Sequence, residues 1–253
     1  MSGYLIYHPS REKSRFGNFS VYHDGLPGNQ DPYVWNTQFL HTYCHMSQMS
    51  PSENDINFWV SGDTFPRFSS LYCDLVFVVK FKRYWEQPNF IDPQDPIVDS
   101  NEAYNDHYQW AQYNHPFKRR HRFTLKADPH YSFQPQDANR RLIDVVPFLI
   151  EMGLSLDTLR KGLQINFASR PMHLDSRVAT SLYQWLYQEA EIKLTGEILE
   201  GIRQKNPQLA SPPPLSGNNA MCVKGKVGVS EDSCAPISRR NRIGMKSHHQ
   251  GCA

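Results

Sequence analysis

Between Leu71 and Trp85 the chain reads LYCDLVFVVKFKRYW, and no other stretch restricts the fold so tightly. Its centre, Leu75 to Val79, is apolar at every position and rich in β-branched residues. A strand of that kind has to be covered on both faces, so it belongs at the middle of a sheet with layers on either side. Beyond Val79 the pattern alternates, placing Lys80 and Lys82 on one face and Phe81 on the other.

Shorter strand signals surround this one. Tyr4 to Tyr7 is apolar, Phe19 to Tyr22 alternates, and a polar basic loop from Ser10 to Arg15 joins the two. Ile56 to Val60 is a further short strand, ended by Ser61-Gly62-Asp63. His121 to Lys126 alternates, with Phe123 and Leu125 on one side and Arg122 and Thr124 on the other. Leu142 to Leu149 fits either a strand or a helix.

Helix starts are marked by capping residues. Asp31-Pro32 opens a helix through about Ser47, with Val34, Trp35, Phe39, Leu40, Tyr43 and Met46 at helical spacing. Ser100 can cap a helix through about Asn114, and Ser155 one ending near Gly162. Asp175 or Ser176 opens the longest, carrying apolar residues from Val178 to Ile202 and kinked at Gly196.

Strands dominate the first half and helices the last third. This predicts an α+β fold with a mixed or antiparallel sheet, a helical C-terminal third and a disordered tail. Residues 1–206 are read as one domain of ordinary size. From Pro207 the chain turns proline- and serine-rich, and residues 207–253 read as a linker followed by a basic disordered tail. Beyond Leu209 that tail holds six basic residues against two acidic ones, a charge of +4 that leaves −2 for the rest of a chain whose net charge is +2.

Several classes are disfavoured. No glycine-rich loop follows a strand, which speaks against dinucleotide and P-loop folds. No apolar run approaches the roughly 18 residues of a membrane span. Five cysteines in irregular spacing and the lack of a secretory pattern predict a reducing, cytoplasmic setting.

Chemistry concentrates between Tyr104 and Phe133. This stretch holds His107, His115, His121 and His130, the basic run Lys118, Arg119, Arg120 and Arg122, and interleaved aromatics including Trp110. Histidine moves protons near neutral pH, and arginine presents a planar fork of donors to phosphate. On a strand, Arg120, Arg122 and Thr124 share one face. Trp110 offers a surface on which a base can stack. The catalytic candidates are His107, His121, His130 and Asp63. The ligand-binding candidates are Arg67, Arg119, Arg120, Arg122 and Trp110, with Asp63 and Arg67 in the loop Ser61 to Ser70.

The histidine spacings form no metal set and identify no cofactor. His41 and His45, four apart on the first proposed helix, could share a metal with Cys44 nearby. Asp74 ahead of Lys80 and Lys82 has the acid-then-lysine order of some metal-dependent nucleases, but Val78 occupies the second acid's place.

The expected function is binding of a phosphate-bearing ligand, a nucleotide or nucleic acid, with histidine-assisted hydrolytic or transfer chemistry. The alternative is a non-catalytic protein-interaction module whose basic tail docks a partner.

Overall fold

The computed structural model describes residues 2–8, 11–23, 41–42, 49–84, 123–165 and 168–206. The apolar stretch is indeed the spine: β6 (Leu71–Tyr84) is the longest strand and contacts more strands than any other described element. On one side it pairs antiparallel with β5 (Ile56–Gly62), which runs parallel to β1 (Gly3–Tyr7). β12 (Met172–Leu174) closes that side antiparallel to β1. On the other side β6 pairs with β7 (Phe123–Ala127), and β7 with β4 (His41–Thr42). Two further strands, β8 (Phe133–Gln136) and β9 (Ile143–Asp144), also pair with β6, and β13 (Ile192–Thr195) extends β8. The sheet is mixed and the C-terminal part mostly helical, an α+β fold.

The two faces carry separate cores. Ile56, Phe58, Val60, Val76 and Val78 face three helices: α1 (Val146–Glu151), α2 (Leu156–Leu163) and α3 (Ser176–Glu189). Trp59, Leu75, Phe77 and Val79 face the other way, with Val21, Leu125, Leu199 and Ile202. On this second face lie a hairpin of β2 (Glu12–Phe16) and β3 (Phe19–His23), and the last helix, α4 (Gly196–Lys205). Gln134 ties the hairpin down: its amide nitrogen donates to the Tyr22 and Asp74 carbonyls, and its oxygen accepts from Tyr22 N. A small ladder of β10 (Gln164–Ile165) and β11 (Ala168–Ser169) follows α2.

Local chemistry explains the helix starts. The Ser155 side chain accepts from Thr158 N, and the Asp175 carboxylate from Val178 N. Cys73 is buried, as its apolar neighbours imply.

The sequence expectation fails at three places, and at a fourth the structure decides what the sequence left open. The loop from Ser10 to Arg15 is largely strand β2, whose exposed polar side chains hide its ladder to β3. Of the proposed helix from Asp31 to Ser47 only His41 and Thr42 are described, and they pair with Lys126 and Leu125 as strand β4; the remainder lies outside the described residues. That removes the helical spacing on which a His41–His45 metal pair depended. The stretch Leu142 to Leu149 resolves into a two-residue strand and then a helix entered through Pro147. The long C-terminal helix is two helices separated by β13, and Gly196 opens the second rather than kinking one.

The helix proposed after Ser100 and the stretch beyond Asn206 lie outside the described residues. Among the described residues, no helix is long and apolar enough to cross a membrane.

Candidate functional site

Of the catalytic and ligand-binding candidates named from the sequence, His130, Asp63 and Arg67 fall within the described structure. His107, Trp110, Arg119, Arg120, His121 and Arg122 lie outside it.

His130 sits in the turn between β7 and β8, and its backbone is tightly specified. Asp128 Oδ1 accepts from His130 N at 2.9 Å and from Tyr131 N at 3.4 Å, an aspartate turn. Ser132 Oγ accepts from Val78 N, and Asp128 N donates to the Val78 carbonyl, so both ends of the turn are fastened to β6. Lys80 Nζ lies 3.6 Å from Asp128 Oδ2.

Strand β13 brings α4 to the same place. Thr195 stands opposite Phe133, so the helix begins beside the turn. Gly196 N donates to the Pro129 carbonyl at 2.8 Å. A β-carbon built on Gly196 would stand 2.5 Å from Pro129 Cα, so glycine is what lets the two backbones meet. One residue later, Glu197 Oε1 reaches His130 Nδ1 at 3.2 Å. With Nδ1 as donor to that carboxylate, Nε2 is left as the acceptor, which is the arrangement of a positioned base. Both side chains are more than half exposed, so the pair orients the ring and contributes little stability.

One aromatic ring touches this imidazole, and others are coupled to the same turn. Tyr131 packs edge-on against it at 4.9 Å. Tyr183 and Tyr187, one helical turn apart on α3, lie nearly parallel, 6.3 Å between centroids, and both meet Phe133 edge-on. The Tyr183 hydroxyl donates to the Tyr131 carbonyl, coupling platform and turn. Burial raises the Tyr183 phenol above its ordinary pKa, and the neighbouring Tyr187, Tyr131 and Asp128 act in the same direction. Lys193 Nζ stands 4.8 Å over the Tyr187 ring. Tyr131 and Tyr187 are 56% and 52% exposed, so part of each ring is open to a ligand.

Asp63 does something different. Its two carboxylate oxygens accept from Ser69 N and Ser69 Oγ, each at 3.1 Å, clasping the loop between β5 and β6. The Ser69 backbone donor is also the main reason its pKa falls below the usual carboxylate value. Arg67 belongs to the same loop, where its carbonyl accepts from Arg160. This loop adjoins Leu71, whereas the His130 turn is bonded to Val78. Seven residues of strand separate the two, roughly 20 Å. The structure therefore does not bring Asp63 and His130 together.

A second polar cluster was not foreseen, although one of its members, Asp74, stands out in the sequence for another reason. His8, at the end of β1, places Nε2 2.7 Å from Asp74 Oδ2. Arg11 Nε lies 3.2 Å from the same imidazole nitrogen and 3.7 Å from the same carboxylate oxygen. All three side chains are almost wholly buried. Asp74 gets there through a β-bulge: Trp59 and Val60 stand opposite Leu75 and Cys73, leaving Asp74 as the extra residue. The signal for it was legible, since an aspartate interrupts an otherwise apolar strand. The cluster pins the crossing from the sheet into the β2–β3 hairpin.

Among the described residues, no group of three or more histidine, cysteine, aspartate or glutamate side chains could hold a metal ion. No family model, curated protein or solved structure matches the chain, so function has to be read from this geometry.

Proposed function

We propose that the protein binds a phosphate-bearing ligand with an aromatic base, a nucleotide or single-stranded nucleic acid, at the His130 turn. The observation that carries this reading is an exposed imidazole oriented by Glu197 beside a platform of half-exposed tyrosines. Aromatic faces accept any base, and a nearby lysine suits the phosphate. His130 then moves the proton in hydrolytic or transfer chemistry on the bound ligand.

The basic run supports the same reading. Lys118 to Arg122 precedes β7 in sequence, at the end of the strand away from this turn, so Arg119, Arg120, Arg122 and Trp110 enter the proposal on their chemistry alone, as phosphate and stacking contacts to a ligand long enough to follow the strand. His107 and His121 remain candidates to assist His130. Asp63 and Arg67, at the far end of β5, have no part in it.

Fluorescence anisotropy with a labelled oligothymidylate at two salt concentrations tests the proposal. Arg120→Ala with Arg122→Ala is expected to weaken binding and flatten its salt dependence. His130→Gln is expected to keep binding and lose any turnover. Unchanged affinity in the arginine pair and in Tyr187→Ala would refute it. Tyrosine-rich surfaces also suit protein partners. Loss of a protein contact alone, on neutralising the basic residues beyond Leu209, favours the interaction module instead.

A further inference from the structure

On the second face of the sheet a cleft of about 410 Å³ opens between the tip of the β2–β3 hairpin and α4. Phe16 and Phe19 form one wall, and Ile198 and Ile202 the other. Phe19 is 39% exposed. Between the two isoleucines stands Gly201, and a β-carbon built there meets nothing within 4 Å. Glycine inside a helix is unfavourable relative to alanine, so a bare backbone facing open space calls for an explanation. The usual one is close approach by another chain.

We propose that this cleft seats the chain's own proline-rich segment, Ser211-Pro-Pro-Pro-Leu215. Asn206, the last described residue, itself lines the cleft, so the chain leaves the fold at the cleft's rim. From Ile198 to Asn206 the helix rises about 12 Å, the length of four residues of polyproline helix at roughly 3.1 Å each. The four residues Pro207 to Ala210 can span up to about 13 Å, enough for Ser211 to start at either end of the cleft.

Proline-rich segments enter aromatic-lined grooves with little ordering cost, because their extended helix is already formed. Three successive prolines and a leucine present an uncharged apolar surface to phenylalanine and isoleucine walls. Tethering keeps the segment at a high local concentration, so modest contacts suffice.

The test uses the full chain with benzoylphenylalanine in place of Asn18, an exposed residue lining the cleft. Irradiation followed by mass spectrometry is expected to join position 18 to residues 207–215 of the same chain, with a yield unchanged on tenfold dilution. Gly201→Leu fills the cleft and is expected to abolish the crosslink without lowering the melting temperature. Replacing Pro212, Pro213 and Pro214 by glycine is expected to reduce it several-fold. A crosslink that falls with dilution overturns the proposal in favour of a second copy. So does one mapping elsewhere, or one indifferent to both variants.

Discussion

Gly196 and Gly201 lie on the same helix, and the same substitution should act on them in opposite directions. At Gly196 a new methyl group would lie 2.5 Å from Pro129 Cα and 2.8 Å from its carbonyl oxygen. These are backbone atoms, held by the Asp128 turn, so the helix start must move away. Overpacking of this sort costs about 1–3 kcal/mol, and losing the Gly196 N to Pro129 O bond costs roughly 1 more. Better helix propensity returns less than about 1. Gly196→Ala should therefore destabilise by about 1–3 kcal/mol and draw Glu197 away from His130. Gly201→Ala meets no atom of the described fold within 4 Å, so the fold itself should show no loss and gain up to about 1 kcal/mol, less whatever the docked proline segment contributes. Urea unfolding monitored by tryptophan fluorescence measures both. Equal midpoints for the two variants would refute the claim that α4 is stapled to the His130 turn through Gly196.

Other expectations follow from the same packing. Asp74→Asn leaves His8 and Arg11 buried without their carboxylate, and should cost about 3–5 kcal/mol; in a double-mutant cycle with His8→Phe the two losses should not add. The Tyr183 phenol ionises less readily in the folded protein, which binds its proton more tightly than the unfolded chain does. Stability should consequently fall as pH rises past 10, the ordinary tyrosine value, and Tyr183→Phe should reduce that slope in urea midpoints taken between pH 9 and 11. Asp63 has the opposite sign: its carboxylate stabilises the loop above its ordinary pKa of 3.8, and that contribution disappears as pH falls below it. Asp63→Ala should flatten the acid limb of the same curve.

Residues whose partners are local were readable from the chain; residues whose partners are distant were not. The central strand shows itself because β6 is apolar at its core and flanked by turns. Ser155 and Asp175 cap helices with amides three residues ahead, which spacing reveals. β13 escaped because Leu194, Ile198, Leu199 and Ile202 continue a helical rhythm, and its strand character comes from pairing with β8, nearly 60 residues earlier. β2 escaped because only its partner β3 makes a strand of EKSRF. The site follows the same division. His130 stood out by composition, but Glu197 is 67 residues away and no local pattern links them. The tyrosine platform was hidden in the α3 pattern, where Tyr183 and Tyr187 read as ordinary helix residues. Asp74 was visible as an anomaly, and its meaning came only when the bulge placed it against His8.

The central claim is that the tyrosine platform beside His130 is where a base lies. Photocrosslinking with a 4-thiouridine oligonucleotide, followed by peptide mapping, tests it most directly. The account requires adducts on Tyr131, Tyr183 or Tyr187, suppressed by Tyr187→Ala and by raised salt. Adducts confined to the Asp63 loop or the β2–β3 hairpin, or none at all under conditions where the protein is folded, would contradict it.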